Sequence, residues 1–365
     1  MDATMKLKRK WGLMIVLILG TVLCLSCSSD KDATTKLMPV SSICGSEINP
    51  DELTINGNKE MDRQDIYVRF EKEGNDSSVL KLTLSNVFPA EKPNFEMDVK
   101  VQPKEFSILF SGSVTQKVGK STVVAEVSGE IGKIWSVDRT LRMNLNYKIE
   151  NSPLLETPQH TFSFDDPKLF SIFSLHAKDE TFEYNNQSHS TVEVITDGIT
   201  IMRNLMGKTF DKVQLQFKDD GVLLVNVLWK GHTEYEKWME TRYWLTDKPN
   251  TIYWDISYNQ SLDFSQKFIN KPQMEIAIFY DGASRRWLKT VYQTTETDNH
   301  PENNTLNIMF PEITWAFLSQ WCDNKGLVEA TDEEKEALKA FRKIVGRLLP
   351  KDTGDFEGIM INSGK

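Results

Sequence analysis

The side chains with intrinsic reactivity in this 365-residue chain are few: four cysteines and five histidines. His160, His176, His189, His232 and His300 are scattered, with no pair at the spacing that lets side chains converge on a metal. Each reads as a loop or surface residue, and no metal site is expected. Val118-Gly119-Lys120-Ser121 has the ending of a phosphate-binding loop, but Val114 stands where that loop needs its first glycine. The alternating residues around it make a hairpin tip instead. Asp219-Asp220-Gly221 lacks the alternating acids of a calcium loop and reads as a turn between two strands. Acidic pairs such as Asp165-Asp166 are adjacent rather than opposed, so they offer no acid/base couple. G-x-S-x-G, H-E-x-x-H and G-x-G-x-x-G are all missing. Neither an enzyme nor a cofactor is expected.

The aromatic residues are the compositional anomaly. Seven of the nine tryptophans lie between residues 229 and 321, namely Trp229, Trp238, Trp244, Trp254, Trp287, Trp315 and Trp321. Rings with a polar handle suit an amphipathic ligand, and flat exposed rings stack on sugars; the same rings equally serve as a core. Trp238 sits among Glu234, Glu236, Lys237 and Glu240, and Trp244 shares its parity just ahead of the Asp247-Lys248-Pro249-Asn250 turn. These two are the expected exposed pair and the candidate ligand-binding residues.

At the N-terminus Lys6, Lys8, Arg9 and Lys10 precede an apolar run from Trp11 to Leu25. That run is shorter than the roughly 20 residues a spanning helix needs. It ends Leu23-Cys24-Leu25-Ser26-Cys27, which resembles a bacterial lipoprotein signal. The resemblance implies cleavage after Ser26 and lipidation of Cys27, making residues 1–26 a signal peptide and residues 27–50 a lipidated tether. Met1-Asp2-Ala3-Thr4 reads as an extension, with Met5 as the alternative start. The acidic stretch Asp30-Lys31-Asp32 is similar to the export signal of surface lipoproteins in gut Gram-negative anaerobes. An outer-membrane, surface-exposed location is expected, with a periplasm-facing one as the alternative.

The net charge is −9; cleavage after Ser26 removes four cations and one acid and leaves −12. Such a body has no footprint for nucleic acid, and anionic headgroups repel it, so the acyl chains must provide the membrane attachment. A mean hydropathy of −0.40 excludes a polytopic membrane protein. Of the thiols remaining, Cys44 and Cys322 are either paired across an oxidising compartment or separately buried.

The elements that must position these residues follow from periodicity. From residue 51 to about 150 the period is two: Ile66, Val68 and Phe70; Leu80, Leu82 and Leu84; Phe106, Ile108 and Phe110; Val123, Ala125 and Val127; Leu141, Met143, Leu145 and Tyr147. Alternation with short turns predicts an antiparallel meander closing into a barrel or sandwich. Residues 150–160, with two prolines, mark a boundary, and residues 161–365 read as a mixed α+β domain. Helical spacing predicts a helix over 192–206, and alternation predicts strands at Val213 to Phe217, Leu223 to Trp229 and Ile252 to Tyr258, with others at 274–280 and 287–294. The polar stretch Thr294 to Thr305 reads as a loop. Thr331 with Glu334 opens a C-terminal helix over 332–349, ended by Pro350.

The segment Val79-Leu80-Lys81-Leu82-Thr83-Leu84-Ser85-Asn86-Val87-Phe88-Pro89, the glycines after Phe110-Ser111 and Val127-Ser128, and the strand Leu141 to Ile149 resemble calycin-like β-barrel lipoproteins of gut anaerobes. The resemblance implies a mainly β chain with a calycin-like barrel, a second domain, and binding of a lipidic or other small ligand; it brings no catalytic residues. The leading expectation is a non-enzymatic envelope lipoprotein that binds a small hydrophobic molecule, a glycan or a partner protein. The alternative is a structural or adhesive module whose barrel is filled by its own side chains. An apolar pocket favours the first and a filled interior the second.

Overall fold

The computed structural model of the protein describes residues 37–60, 65–72, 78–90, 92–133, 139–173, 178–248, 250–256, 287–295, 305–311, 314–348 and 358–363, with single residues at 74, 76, 260, 263 and 266. The signal sequence, Cys27 and the strand expected at 274–280 lie outside them. The chain is mainly β, with two curled half-barrel sheets and helices in its C-terminal part.

Each sheet has nine strands. The first contains β1 (Glu47–Ile48), β2 (Glu52–Ile55), β3 (Asn58–Glu60), β4 (Tyr67–Lys72), β5 (Val79–Ser85), β6 (Phe95–Pro103), β7 (Ser107–Val118), β8 (Ser121–Lys133) and β9 (Arg139–Glu150), in the order β1-β4-β5-β6-β7-β8-β9-β2-β3. Strands β4 to β9 form an antiparallel meander, and β2 joins β9 in parallel. Consecutive strands β1 and β2 therefore lie on opposite edges of the meander with only residues 49–51 between them. So short a link, at about 3.5 Å per residue, forces the sheet to curl until its edges nearly meet. Two inward-facing glycines permit the curl. A Cβ at Gly112 would sit 2.4 Å from the Asp98 carbonyl oxygen, and one at Gly129 would sit 2.4 Å from the Phe110 ring. Val68, Phe70, Leu82, Val99, Ile108, Leu141 and Leu145 fill the interior.

Two expectations change here. The tether is shorter than residues 27–50: Met38, Ile43 and Ile48 are buried, Val40–Ser42 forms a 3₁₀ turn, and Cys44 bridges to Phe70. The polar composition of this stretch concealed three apolar residues that complete the core. Phe106 is not a strand residue either. It lies in the β6–β7 turn, 65% exposed, because the inward set of β7 begins at Ile108.

After the short helix α1 (Pro153–Glu156), capped by Ser152, comes the second sheet. Its members are β10 (His160–Ser163), β11 (Phe170–Phe173), β14 (Phe210–Phe217), β15 (Val222–Trp229), β16 (Glu236–Leu245), β17 (Thr251–Asp255), β18 (Trp287–Thr295), β19 (Thr305–Met309) and β20 (Gly358–Asn362), in the order β10-β14-β15-β16-β17-β18-β19-β20-β11. Again two consecutive strands, β10 and β11, take opposite edges across a short link. The hairpin β12 (Thr181–Tyr184) and β13 (Gln187–Ser190) stands apart and leads into α2 (Thr191–Met206). Helices α3 (Thr314–Trp321), α4 (Leu327–Glu329) and α5 (Asp332–Val345) precede β20, with a π-turn at Cys322–Gly326 between the first two.

Helix α2 occupies the stretch where helical spacing placed it, and Gly198 inside it has a packing role. The Phe341 ring of α5 lies where a Cβ at Gly198 would stand, 2.3 Å away. Helix α5 opens on the Thr331–Glu334 capping box but ends at Val345, four residues before the expected 349. The chain tightens at Gly346, and the next two N–H groups bond carbonyls three residues back, Arg347 to Ile344 and Leu348 to Val345.

The halves are joined by a dry aromatic seam and a polar rim. Trp244 of β16 stacks on Phe88 with centroids 3.9 Å apart and 9° between planes, and Phe95 and Tyr147 meet it edge-on. Around this seam the β14–β15 turn docks on the first sheet: Ile149 N–H donates to the Asp219 carbonyl at 2.6 Å and Asn56 Nδ2 to the Asp220 carbonyl at 2.7 Å. Arg242 ion-pairs with Glu60 at 2.5 Å and with Asp255 at 3.3 Å.

Candidate binding pocket

The curled second sheet and helices α2 and α3 leave a pocket of about 200 Å³ between them. Met202 and Met206 of α2 close one side, Val225 of β15 and Ile361 of β20 form the walls, and Phe317 of α3 covers another side. Almost every lining side chain is apolar. The floor is built by ordinary alternation, with Val213 and Leu215 on β14 facing in.

Trp238 reaches this pocket through an irregularity. Along the β15–β16 ladder Val225 pairs with Met239 and Asn226 with Lys237, so Trp238 is an extra residue, a β-bulge. A bulge turns two successive side chains toward one side, and both Trp238 and Met239 line the pocket. The Trp238 indole N–H donates to the Asp263 carboxylate, while Gln260, also on the pocket wall, donates from Nε2 to the Glu240 carbonyl at 2.8 Å. Trp254 sits on the wall edge-on to Phe310, with its buried Nε1 lacking a hydrogen-bond partner among the described residues.

Trp238 and Trp244 are therefore not an exposed pair. Trp238 is half-buried on the pocket, and Trp244 is 3% exposed on the outer face of the sheet, where the first half-barrel covers it. Their shared parity was sound, but the bulge breaks the relation at Trp238 and the docked partner sheet buries Trp244. The other aromatics divide likewise: Tyr243 packs edge-on to Phe217 in the core, Trp229 donates from Nε1 to Glu236 at 2.7 Å, and Trp315 and Trp321 are buried in the helical layer. Periodicity alone had no signal for the bulge. Nor could it place Met202 and Met206 over a pocket rather than in a solid core.

Cys44 and Cys322 are both free thiols. Cys44 donates to the Val40 carbonyl at 3.5 Å in the first half, whereas Cys322 is buried under the helices of the second. Burial pushes the Cys322 thiol up to about 12. The paired alternative is thus set aside.

The histidine expectation fails at two positions. His160 belongs to β10, is 2% exposed and lies edge-on to Phe217. Burial drives its imidazole down to about 4, against a weaker opposing contact with the Leu154 backbone, and neither ring nitrogen makes a well-formed hydrogen bond. His189 stacks on Tyr184 at 3.8 Å, and the Tyr184 hydroxyl donates to Asp197 at 2.6 Å. His232 is exposed; His176 and His300 lie outside the described residues. Val118 to Ser121 and Asp219 to Gly221 are hairpin turns, with Gly119 at φ +59° and Gly221 at φ +77°. Among the described residues no group of three His, Cys, Asp or Glu side chains could hold a metal, and no helix is long and apolar enough to cross a membrane.

No family model, curated protein or solved structure matches this chain. The pocket's chemistry has to be read from its own residues.

Proposed function

We propose that this protein is a non-enzymatic, lipid-anchored component of a bacterial cell envelope that holds a small apolar molecule in its second half-barrel. The apolar pocket of about 200 Å³ carries the reading. A void of that size lined by hydrocarbon stays dry and accepts apolar guests, because water finds no hydrogen-bond partners in it. Three methionines, Met202, Met206 and Met239, line it and can adjust to the shape of a guest. The size favours a compact or thin molecule, such as one end of a hydrocarbon chain, over a glycan. The filled first half-barrel supports the structural reading for that half alone, as the stalk that carries the pocket. Attachment through Cys27, an outer-membrane location and kinship with calycin-like lipoproteins belong to the same proposal.

The test uses the full chain and N-phenyl-1-naphthylamine, a neutral apolar dye. Saturable binding is expected, with Met202→Trp and Ile361→Phe, which fill the pocket from opposite sides, each lowering affinity at least tenfold while the melting temperature holds. Equal binding by wild type and both filled variants would place the dye elsewhere and overturn the proposal. Native mass spectrometry of protein extracted from its own envelope then identifies the resident molecule. Metabolic labelling with a fatty-acid analogue checks the anchor: label is expected on wild type and lost in Cys27→Ser, and equal labelling of both refutes it.

A further inference from the structure

We infer that the end of the first half-barrel formed by the β6–β7 turn is a membrane-contact rim, resting on the lipid bilayer with Phe106 and Leu37 in the headgroup layer. The inference rests on the anchored reading of Cys27.

The first half-barrel has two unlike ends. One is covered by the second half: Phe88, Phe95, Tyr147 and the β7–β8 turn at Gly119 all lie there, and Gly119 approaches the Thr246 carbonyl. Strands β6, β7, β8 and β9 run from that end to the opposite one, where β6 stops at Pro103 and β7 starts at Ser107. Here, at the same end, are two of the exposed large apolar side chains among the described residues. Phe106 is 65% exposed at the turn and Leu37 is 54% exposed beside it, since the next residue, Met38, donates its N–H to the Lys104 carbonyl at 2.7 Å. The turn is closed on itself by Lys104 N–H to the Ser107 carbonyl at 2.7 Å, so Phe106 projects from a fixed support.

The covalent path says what lies opposite this rim. Leu37 lies ten residue steps after Cys27. Fully extended they reach about 35 Å, and in any other conformation less. Strand β8, with 13 residues, is about 43 Å long at 3.3 Å per residue. The leash is attached at the Phe106 end, so among the parts of the first half-barrel that rim is the one it holds most closely to the bilayer. The turn carries Lys104 and Glu105 just before Phe106, both exposed; at the headgroup boundary the ring enters while both charged side chains stay in water. The pocket-bearing half then points away from the membrane.

The test places a nitrobenzoxadiazole dye at Phe106→Cys and, as a control on the far half, at Val192→Cys, in the full-length acylated protein. Each is reconstituted into vesicles of phosphatidylethanolamine and phosphatidylglycerol, with and without headgroup nitroxide lipid. The expected result is flotation of both proteins with the vesicles, at least threefold stronger nitroxide quenching at 106 than at 192, and the reverse order for aqueous iodide. Flotation with equal quenching at the two sites overturns the rim while leaving the anchor standing. Acylated protein being absent, or failing to float, overturns the anchor and the rim with it. Phe106→Ser, in an exposed turn, serves as a second check: its melting temperature is expected to match wild type, and a collapse would assign the ring to the core and overturn the rim.

Discussion

Trp244 and Trp238 differ by what covers them, and the difference is measurable. Trp244→Ala removes the ring that stacks on Phe88 and touches Phe95 and Tyr147. A loss of about 3–5 kcal/mol is expected, read by thermal or denaturant unfolding. Trp238→Ala opens a half-buried site, so its expected effect on stability is smaller and its effect on dye binding larger. A Trp238 variant as unstable as the Trp244 variant would assign both rings to the core. His160 gives a second residue-level prediction. Its folded pKa, about 4, lies below the ordinary 6.5 because burial disfavours the charged ring. The unfolded chain therefore binds the extra proton between these values. Stability is complete above about pH 6.5 and falls as pH drops toward 4, by up to about 3 kcal/mol. His160→Phe is expected to flatten denaturant midpoints between pH 7 and pH 4.5 relative to wild type. An unchanged slope would show that other groups govern the acid response.

At the scale of elements, clean alternation is what made the first half legible. β5, β6 and β9 expose and bury residues in strict turn, and the sequence shows them directly. Legibility failed where tertiary contact decides. β1 has only two residues, and Glu47 and Ile48 become a strand because β4 offers an open edge. β10 and β11 at the sheet edges and β20 beside β11 are four- or five-residue pieces, too short for a period to declare itself. The bulge at Trp238 depends on a ladder slip that no single strand records. The signal-like glycines after Phe110-Ser111 and Val127-Ser128 were visible, but their purpose needed the curl. Gly129→Ala puts a methyl 2.5 Å from the Arg142 carbonyl oxygen, backbone that cannot step aside. Loss of several kcal/mol or failure to fold is expected in a urea titration, whereas Gly45→Ala, with φ +79° but open space around it, should cost only about 1 kcal/mol. A Gly129→Ala loss no larger than that of Gly45→Ala would show that the strands around Gly129 yield to the added methyl.

For the whole molecule the seam between halves sets cooperativity. The stacked Phe88–Trp244 pair, the docked β14–β15 turn and the Glu60–Arg242–Asp255 cluster tie the two sheets together. A single calorimetric transition is expected for the wild type. Glu60→Gln leaves the largely buried Arg242 with Asp255 alone, at a cost of about 3 kcal/mol. Combined with Phe88→Ala, it should split the endotherm in two. A wild-type protein already melting in two steps would show the halves to be energetically independent. A rigid seam also fixes the direction in which the pocket faces once the other end is held.

The edge-to-edge links have a consequence in time. β2 pairs locally with β3, but its other edge waits for β9, and the contacts that join them, such as Leu141 N–H to the Asp51 carboxylate, span 90 residues. β11 waits still longer, for β20, at the far end of the chain. In both halves one early strand, β2 in the first and β11 in the second, completes its pairing only late. Contacts so distant in sequence slow folding, because the loop must close before any bond rewards it. Until β2 docks, β9 carries a bare edge able to pair with other chains. Refolding of this protein should accordingly be slow, in the range of milliseconds to seconds, and its yield should fall as concentration rises.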